Sequence, residues 1–237
     1  MNININEKKF YSDFHDIISR YSNADKLIRK LEENGEIIVF GGAVREYIET
    51  NYEKLPRDFD IVFKKTKKHK DLESLLSGFF YKKNRFDGYK VLLDDLEFDI
   101  WNIDDTWAFR ENKVKCKKAH YSQKLTETVF LNVDSIVFNL NKCTLDGKNF
   151  YNALENKELD IILEDNPFLE LNLLRALVFK DKYDMSLSKK LVESFRKFSR
   201  NNDNYLEALY NIQFSHYKTE KIDKNQLKKE LEYIIIG

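Results

Sequence analysis

The chain has 237 residues, 42% of them hydrophobic and 14% aromatic, which allows a sizeable core and excludes wholesale disorder. Charged residues make up 34%, but 40 basic and 40 acidic ones cancel, so only a local patch can attract nucleic acid. Cys116 and Cys143 form no CxxC or zinc spacing, the N-terminus lacks a signal-peptide pattern and no apolar run approaches the ~18 residues of a membrane span, which predicts a reduced, soluble, cytoplasmic protein.

Phe10, Phe14, Ile17 and Ile18 recur at helical spacing, and Leu27, Ile28 and Leu31 mark a second helix over 23–33 that Asn34-Gly35 ends. The apolar run 36–40 reads as a buried strand. Gly41-Gly42 breaks it, and Val44, Tyr47 and Ile48 resume a helical pattern to about residue 50. After Pro56, the sequence DFDIVF at 58–63 alternates acid and apolar residues, the mark of a strand. A lysine-rich link, KKTKKHK at 64–70, leads to a helix over 71–76. Strands follow at 89–93 and 96–103, joined at Asp94-Asp95. Residues 104–124 are polar and basic without assignable periodicity, and 128–139 is apolar again. Beyond 150 the pattern turns helical. Pro167 suits a first helical turn capped by Asp165 or Asn166, and further helices are expected at 187–198, 205–214 and 227–236. The expectation is an α+β fold: a mixed β-sheet flanked by helices over 1–155, then an all-helical region over 156–237.

The chemistry concentrates in 40–63. A strand, two glycines and a helix let the backbone approach a ligand closely while the helix start presents unpaired N–H groups, a setting that favours an anion such as a triphosphate. Arg45, in the first turn, can add a charged fork to the phosphates. Asp58 and Asp60, two apart on a strand, point their carboxylates the same way and suit Mg²⁺, a hard ion that keeps substrate phosphates in its shell. Two such ions roughly 3.5–4 Å apart can clamp an in-line displacement. Asp99, flanked by Phe98 and Ile100, is the candidate third carboxylate; Glu97, which shares its face, and Asp94 and Asp95 are the alternatives. Arg57 either meets phosphate or is a surface charge, and Arg110 is divided in the same way. The basic stretch 64–70 either contacts an RNA backbone or is a solvated loop.

The sequence GGAVREYI followed by PRDFDIVF closely resembles the head of the bacterial poly(A) polymerase and CCA-adding enzyme (class II) family, within the nucleotidyltransferase superfamily. TWAFRENKV, around Arg110, and FLNVDSIVFNLNKCTLDG are similar to later head segments, and LLRALVFKDKY, with Arg175, is similar to the first neck helix. The resemblance implies a nucleotidyltransferase-type head that transfers a nucleoside monophosphate from an NTP, ATP favoured, to an RNA 3′ end and releases pyrophosphate. It implies Asp58, Asp60 and Asp99 as catalytic and metal-binding residues of a two-Mg²⁺ site. Gly41, Gly42, Arg45, Arg57 and Arg110 would bind the triphosphate.

The chain departs from the family pattern at two places. Residues 127–130 lack the paired arginines of the second motif, and Asp134 stands where an asparagine is expected. Phe168, Leu169 and Asn172 occupy the neck positions from which CCA-adding members read the incoming base. A leucine makes no hydrogen bond to a base edge. A small-molecule or protein acceptor, and a catalytically silent RNA-binding or assembly module, therefore remain as alternatives. No membrane partner is expected, and the oligomeric state is left open.

Overall fold

The computed structural model describes residues 6–66, 71–84 and 87–236. Residues 67–70 of the lysine-rich link lie outside them. The chain divides into two units, Met1–Thr128 with Asp134–Lys148, and Val129–Val133 with Asn149–Gly237.

The first unit contains α1 (Glu7–Ile18), α2 (Ser22–Glu32), β1 (Gly35–Phe40), α3 (Gly42–Thr50), β2 (Phe59–Lys65), α4 (Leu72–Leu76), β3 (Tyr81–Lys83), β4 (Tyr89–Leu93) and β5 (Leu96–Asn102). The short helices α5 (Trp107–Arg110) and α6 (Tyr121–Lys124) follow, then β6 (Val137–Asn139) and β7 (Thr144–Asp146). Among the described residues the strands form one seven-stranded sheet in the order β3-β4-β5-β2-β1-β6-β7. It is mixed: β2 and β5 run parallel, and the other neighbouring pairs run antiparallel.

Alternation along the strands divides the side chains between two faces. One face carries Ile37, Val39, Phe59, Ile61, Phe63, Phe98, Ile100 and Phe138, all buried. Against it lie the apolar stripes of the helices, with the Phe10 ring 4.1 Å from Phe138 and the Phe14 ring 5.9 Å from Phe59. Phe59 and Phe98 stack across β2 and β5 with centroids 5.4 Å apart, a pairing worth about 0.5–1.5 kcal/mol beyond the area it buries. Because a one-residue slip would turn every side chain to the other face, this stack also fixes what stands opposite.

The other face bears Glu36, Ile38, Asp60, Val62, Glu97, Asp99, Val137 and Asn139. Its apolar part, Ile38, Val62 and Val137, is covered by Ile103, Phe109 and Leu125, with Val114, Cys116 and Tyr121 packed at the margin. The segment 104–124, which shows no periodicity, is held there by separate anchors, and the Phe109 and Tyr121 rings stack at 4.0 Å.

The second unit is helical: α7 (Lys148–Asn156), α8 (Leu169–Tyr183), α9 (Lys189–Arg200), α10 (Tyr205–Tyr217) and α11 (Lys224–Ile236). Two short strands, β8 (Glu158–Leu159) and β9 (Ser186–Leu187), pair in parallel. The expected start of α8 at Pro167 is corrected. Phe168 adopts a left-handed conformation at φ 61°, and the helix begins at Leu169. The cap position falls on Phe168 and not on Asp165 or Asn166, and the Asn172 side-chain amide, inside the first turn, donates to the Pro167 carbonyl at 2.9 Å. No helix among the described residues is long and apolar enough to cross a membrane.

Candidate active site

The parallel pairing of β2 with β5 sets Asp60 directly beside Asp99. Both side chains therefore leave the sheet on the same face, and Glu97, two residues before Asp99, shares it. Asp58, expected as the first strand residue, lies just ahead of β2, which begins one residue later at Phe59. Carboxylate oxygens of Asp58, Glu97 and Asp99 come within 4.8 Å of one another. Of the sequence-derived set, Asp58 and Asp99 thus converge, Asp60 stands in the neighbouring row, and Glu97 joins them.

Cations surround this group. Arg57 donates to Asp58 Oδ2 through Nη2 at 2.6 Å and Nε at 3.1 Å. Burial opposes the charge of Arg57, but the bond to Asp58 and the charges of Asp58, Asp60 and Glu97 outweigh it and raise its pKa. Lys90, on β4 opposite Asp99, donates to Glu97 Oε1 and lies 3.4 Å from Asp99 Oδ2. Asp99 itself is pushed above the ordinary aspartate range by burial. Lys90 works against that rise, and Asp58 and Glu97 add to it.

The hairpin that carries Lys90 and Asp99 is anchored from its tip. Asp94 and Asp95 both take positive φ, 50° and 70°, as a tight two-residue hairpin turn requires. The Asp94 carboxylate accepts from the Asn23 backbone N–H at 2.6 Å and its side-chain amide at 2.8 Å, at the start of α2. Asp94 is thereby engaged as a helix anchor.

The glycine turn lies at the same end of the sheet. β1 runs antiparallel to β2 with Val39 opposite Ile61, and two further steps of that register bring Gly41 level with Phe59. Gly41 has φ 48° and ψ −105° and, as the cap residue, brings no side chain to the helix that follows, whose start presents N–H groups without an intrahelical partner. Arg45 lies beneath this turn, 8% exposed, and its Nη1 donates to Asp134 Oδ1 at 2.5 Å. Its guanidinium nitrogens come within 3.9 and 4.0 Å of where side chains at Gly41 and Gly42 would begin. Arg110, at the end of α5, donates to Asp87 at 2.8 Å and to Glu111 at 3.4 Å.

No family model matches the sequence, and no curated protein matches it. Solved structures do. A CCA-adding enzyme in complex with ATP superposes with a TM-score of 0.61 and 16% identity, over 89% of this chain and 49% of that one. The Thermotoga maritima CCA-adding enzyme complexed with tRNA gives 0.58 and 17%, over 90% and 51%. A tRNA-processing enzyme in an apo form gives 0.60 and 15%, over 89% and 57%. The fold is a nucleotidyltransferase fold. The chain spans about half the length of the structures it matches.

The donor set at the acidic face could hold a divalent ion. Asp99 Oδ1 is buried and accepts no hydrogen bond among the described residues, and the converging groups are hard carboxylate oxygens of the type Mg²⁺ takes. Glu97, an alternative third carboxylate in the sequence because it shares a face with Asp99, belongs to the converging group. Two participants escaped sequence reasoning as partners. Lys90 had no signal, because its role depends on cross-strand register. Asp134 showed only as a departure from the family pattern, without its pairing to Arg45.

Proposed function

We propose that this chain is a metal-dependent nucleotidyltransferase that moves a nucleoside monophosphate from an NTP, ATP favoured, to an acceptor hydroxyl at an RNA 3′ end. The observation that carries this reading is the convergence of Asp58, Glu97 and Asp99 at the sheet end where Gly41-Gly42 opens α3. The acceptor oxygen would form a bond to the α-phosphorus as the bond from that phosphorus to the leaving pyrophosphate breaks.

Asp58, Asp60 and Asp99, with Glu97 beside them, would hold Mg²⁺, which when bound neutralises phosphate charge and polarises the reacting oxygens. Asp99, with its pKa raised by burial, suits the task of receiving the proton of the acceptor hydroxyl. The Gly41 and Gly42 backbone and the start of α3 would cradle the triphosphate. Arg45 would add positive charge from beneath the turn, and Arg57 and Arg110 from its rim. The head, 1–155, would carry the chemistry and 156–237 would act as a neck. Free Cys116 and Cys143 agree with a reducing, cytoplasmic setting.

Incubation with each labelled NTP, Mg²⁺ and total RNA tests the proposal, with label expected on RNA 3′ ends. Asp58→Ala and Asp60→Ala are expected to abolish the transfer while the folded circular-dichroism spectrum persists; undiminished transfer in either variant would remove that residue from the site. One observation favours a second acceptor class. The Asn172 amide, at a position where related enzymes read the base, is already bound to the Pro167 carbonyl. Label on a small molecule or on protein, with RNA unlabelled, would select that alternative.

A further inference from the structure

Lys90 stands among the carboxylates of the acidic face. β4 pairs antiparallel with β5 so that Lys90 stands opposite Asp99 and Leu92 opposite Glu97. The side chain therefore rises from the same face as the carboxylates, and its ammonium settles between two of them, bonded to Glu97 and 3.4 Å from Asp99 Oδ2. It leaves the buried Asp99 Oδ1 to another partner.

Arg57 is bonded to Asp58, and Lys90 pairs with Glu97 and lies 3.4 Å from Asp99 Oδ2, so each of these carboxylates already faces a fixed positive charge. A two-metal site sets its ions roughly 3.5–4 Å apart. An ammonium already 3.4 Å from Asp99 Oδ2 would repel a second dication brought near it.

We propose that Lys90 is a built-in counter-cation that stands in for the second metal, so that the acidic face binds one divalent ion through Asp58, Asp60 and the free oxygen of Asp99. This rests on the nucleotidyltransferase reading above and replaces its two-ion expectation with one ion and one lysine. Lys90 acts here as a positioning residue. It holds Glu97 and one oxygen of Asp99, and its permanent attachment removes the need to recruit a second ion before the acceptor can bind.

Metal stoichiometry measured without nucleotide tests the inference. The full chain is titrated with Mn²⁺, free Mn²⁺ being read by electron paramagnetic resonance and heat by calorimetry. One ion per chain is expected for the unaltered protein, two for Lys90→Met, which keeps the stem and drops the charge, and one again for Lys90→Arg. Two ions on the unaltered protein, or one on Lys90→Met, would overturn the role of Lys90 and leave the transferase reading standing. No ion at all would overturn both. Should Lys90→Met fail to fold, judged by thermal melting, Lys90→Gln serves in its place, and the count on the unaltered chain decides by itself.

Discussion

Arg45 Nη1 and Asp134 Oδ1 meet at 2.5 Å beneath the Gly41-Gly42 turn, with each side chain only 10% exposed. The contact joins the first turn of α3 to the segment just before β6, and the Gly41 N–H donates to the Ile136 carbonyl at 2.9 Å beside it. The turn is thus clamped from below by a charge pair and from the side by a backbone bond. Removing one partner of a buried pair leaves the other charged and desolvated, which typically costs about 3–5 kcal/mol. Asp134→Ala is expected to destabilise the protein by that order in urea unfolding. Arg45→Met combined with Asp134→Leu is expected to recover much of the loss. A single-variant effect below about 1 kcal/mol, the range of exposed pairs, would mean that the pair does not hold the turn.

Gly41 and Gly42 separate by conformation, although they stand side by side. At Gly41, φ of 48° is the constraint, since the nearest atom to an added side chain is 3.7 Å away and space is ample. Gly41→Ala is expected to cost more than about 1 kcal/mol, because alanine is strained at positive φ. Gly42 opens α3 at an ordinary φ, and alanine there is expected to leave stability unchanged or improve it by up to about 1 kcal/mol. Both methyl groups would crowd a phosphate, so both variants are expected to bind ATP more weakly in an equilibrium titration. Equal unfolding midpoints for the two would contradict the assignment of strain to Gly41 alone.

The sequence made the face of the sheet readable wherever period alone decides it. DFDIVF and LEFDI alternate cleanly, so the shared face of Glu97 and Asp99 followed once the second was read as a strand, and the Asp94-Asp95 hairpin turn was legible from its residues. Register was not. That Lys90 lies opposite Asp99, and Asp60 beside it, depends on how three strands align, and the buried Phe59–Phe98 stack across two of them could not be paired from composition. The segment 104–124 resisted assignment for a related reason. Val114, Cys116 and Tyr121 pack on the sheet one at a time, without the repeat that marks a helix or strand. At Phe168, a left-handed residue left no local signal, because bulky side chains seldom take that conformation.

In the helical unit, Gln213 is fully buried on α10 and clasps the chain that leads into α11. Its side-chain oxygen accepts from the Lys221 and Ile222 N–H groups at 2.7 and 3.1 Å, and its amide donates to the Ile222 carbonyl at 3.2 Å. Each buried backbone group left without a partner costs about 1–3 kcal/mol. Gln213→Leu is expected to fill the space but orphan these groups, destabilising the chain and raising hydrogen exchange at residues 221 and 222. Unchanged exchange there would show that water replaces the glutamine at no cost.

Asp99 gives the pH dependence. Burial raises its folded-state pKa above the ordinary aspartate value, so the folded chain keeps this proton to higher pH than the unfolded one. Below about pH 3.9, the ordinary aspartate value, both states are protonated and the group contributes no penalty. As pH rises through that value the unfolded state ionises first, and stability falls until the folded carboxyl ionises too. Asp99→Asn has no such proton to lose. In EDTA, its urea-unfolding midpoint is therefore expected to exceed that of the unaltered protein at pH 7, with the difference shrinking as pH falls below about 4. Added Mg²⁺ should reverse the order at pH 7, because the ionised carboxylate is the form a metal takes and only the unaltered protein supplies it. A difference between the two proteins that stays constant from pH 3 to pH 7 would place its origin in packing and not in the ionisation of Asp99.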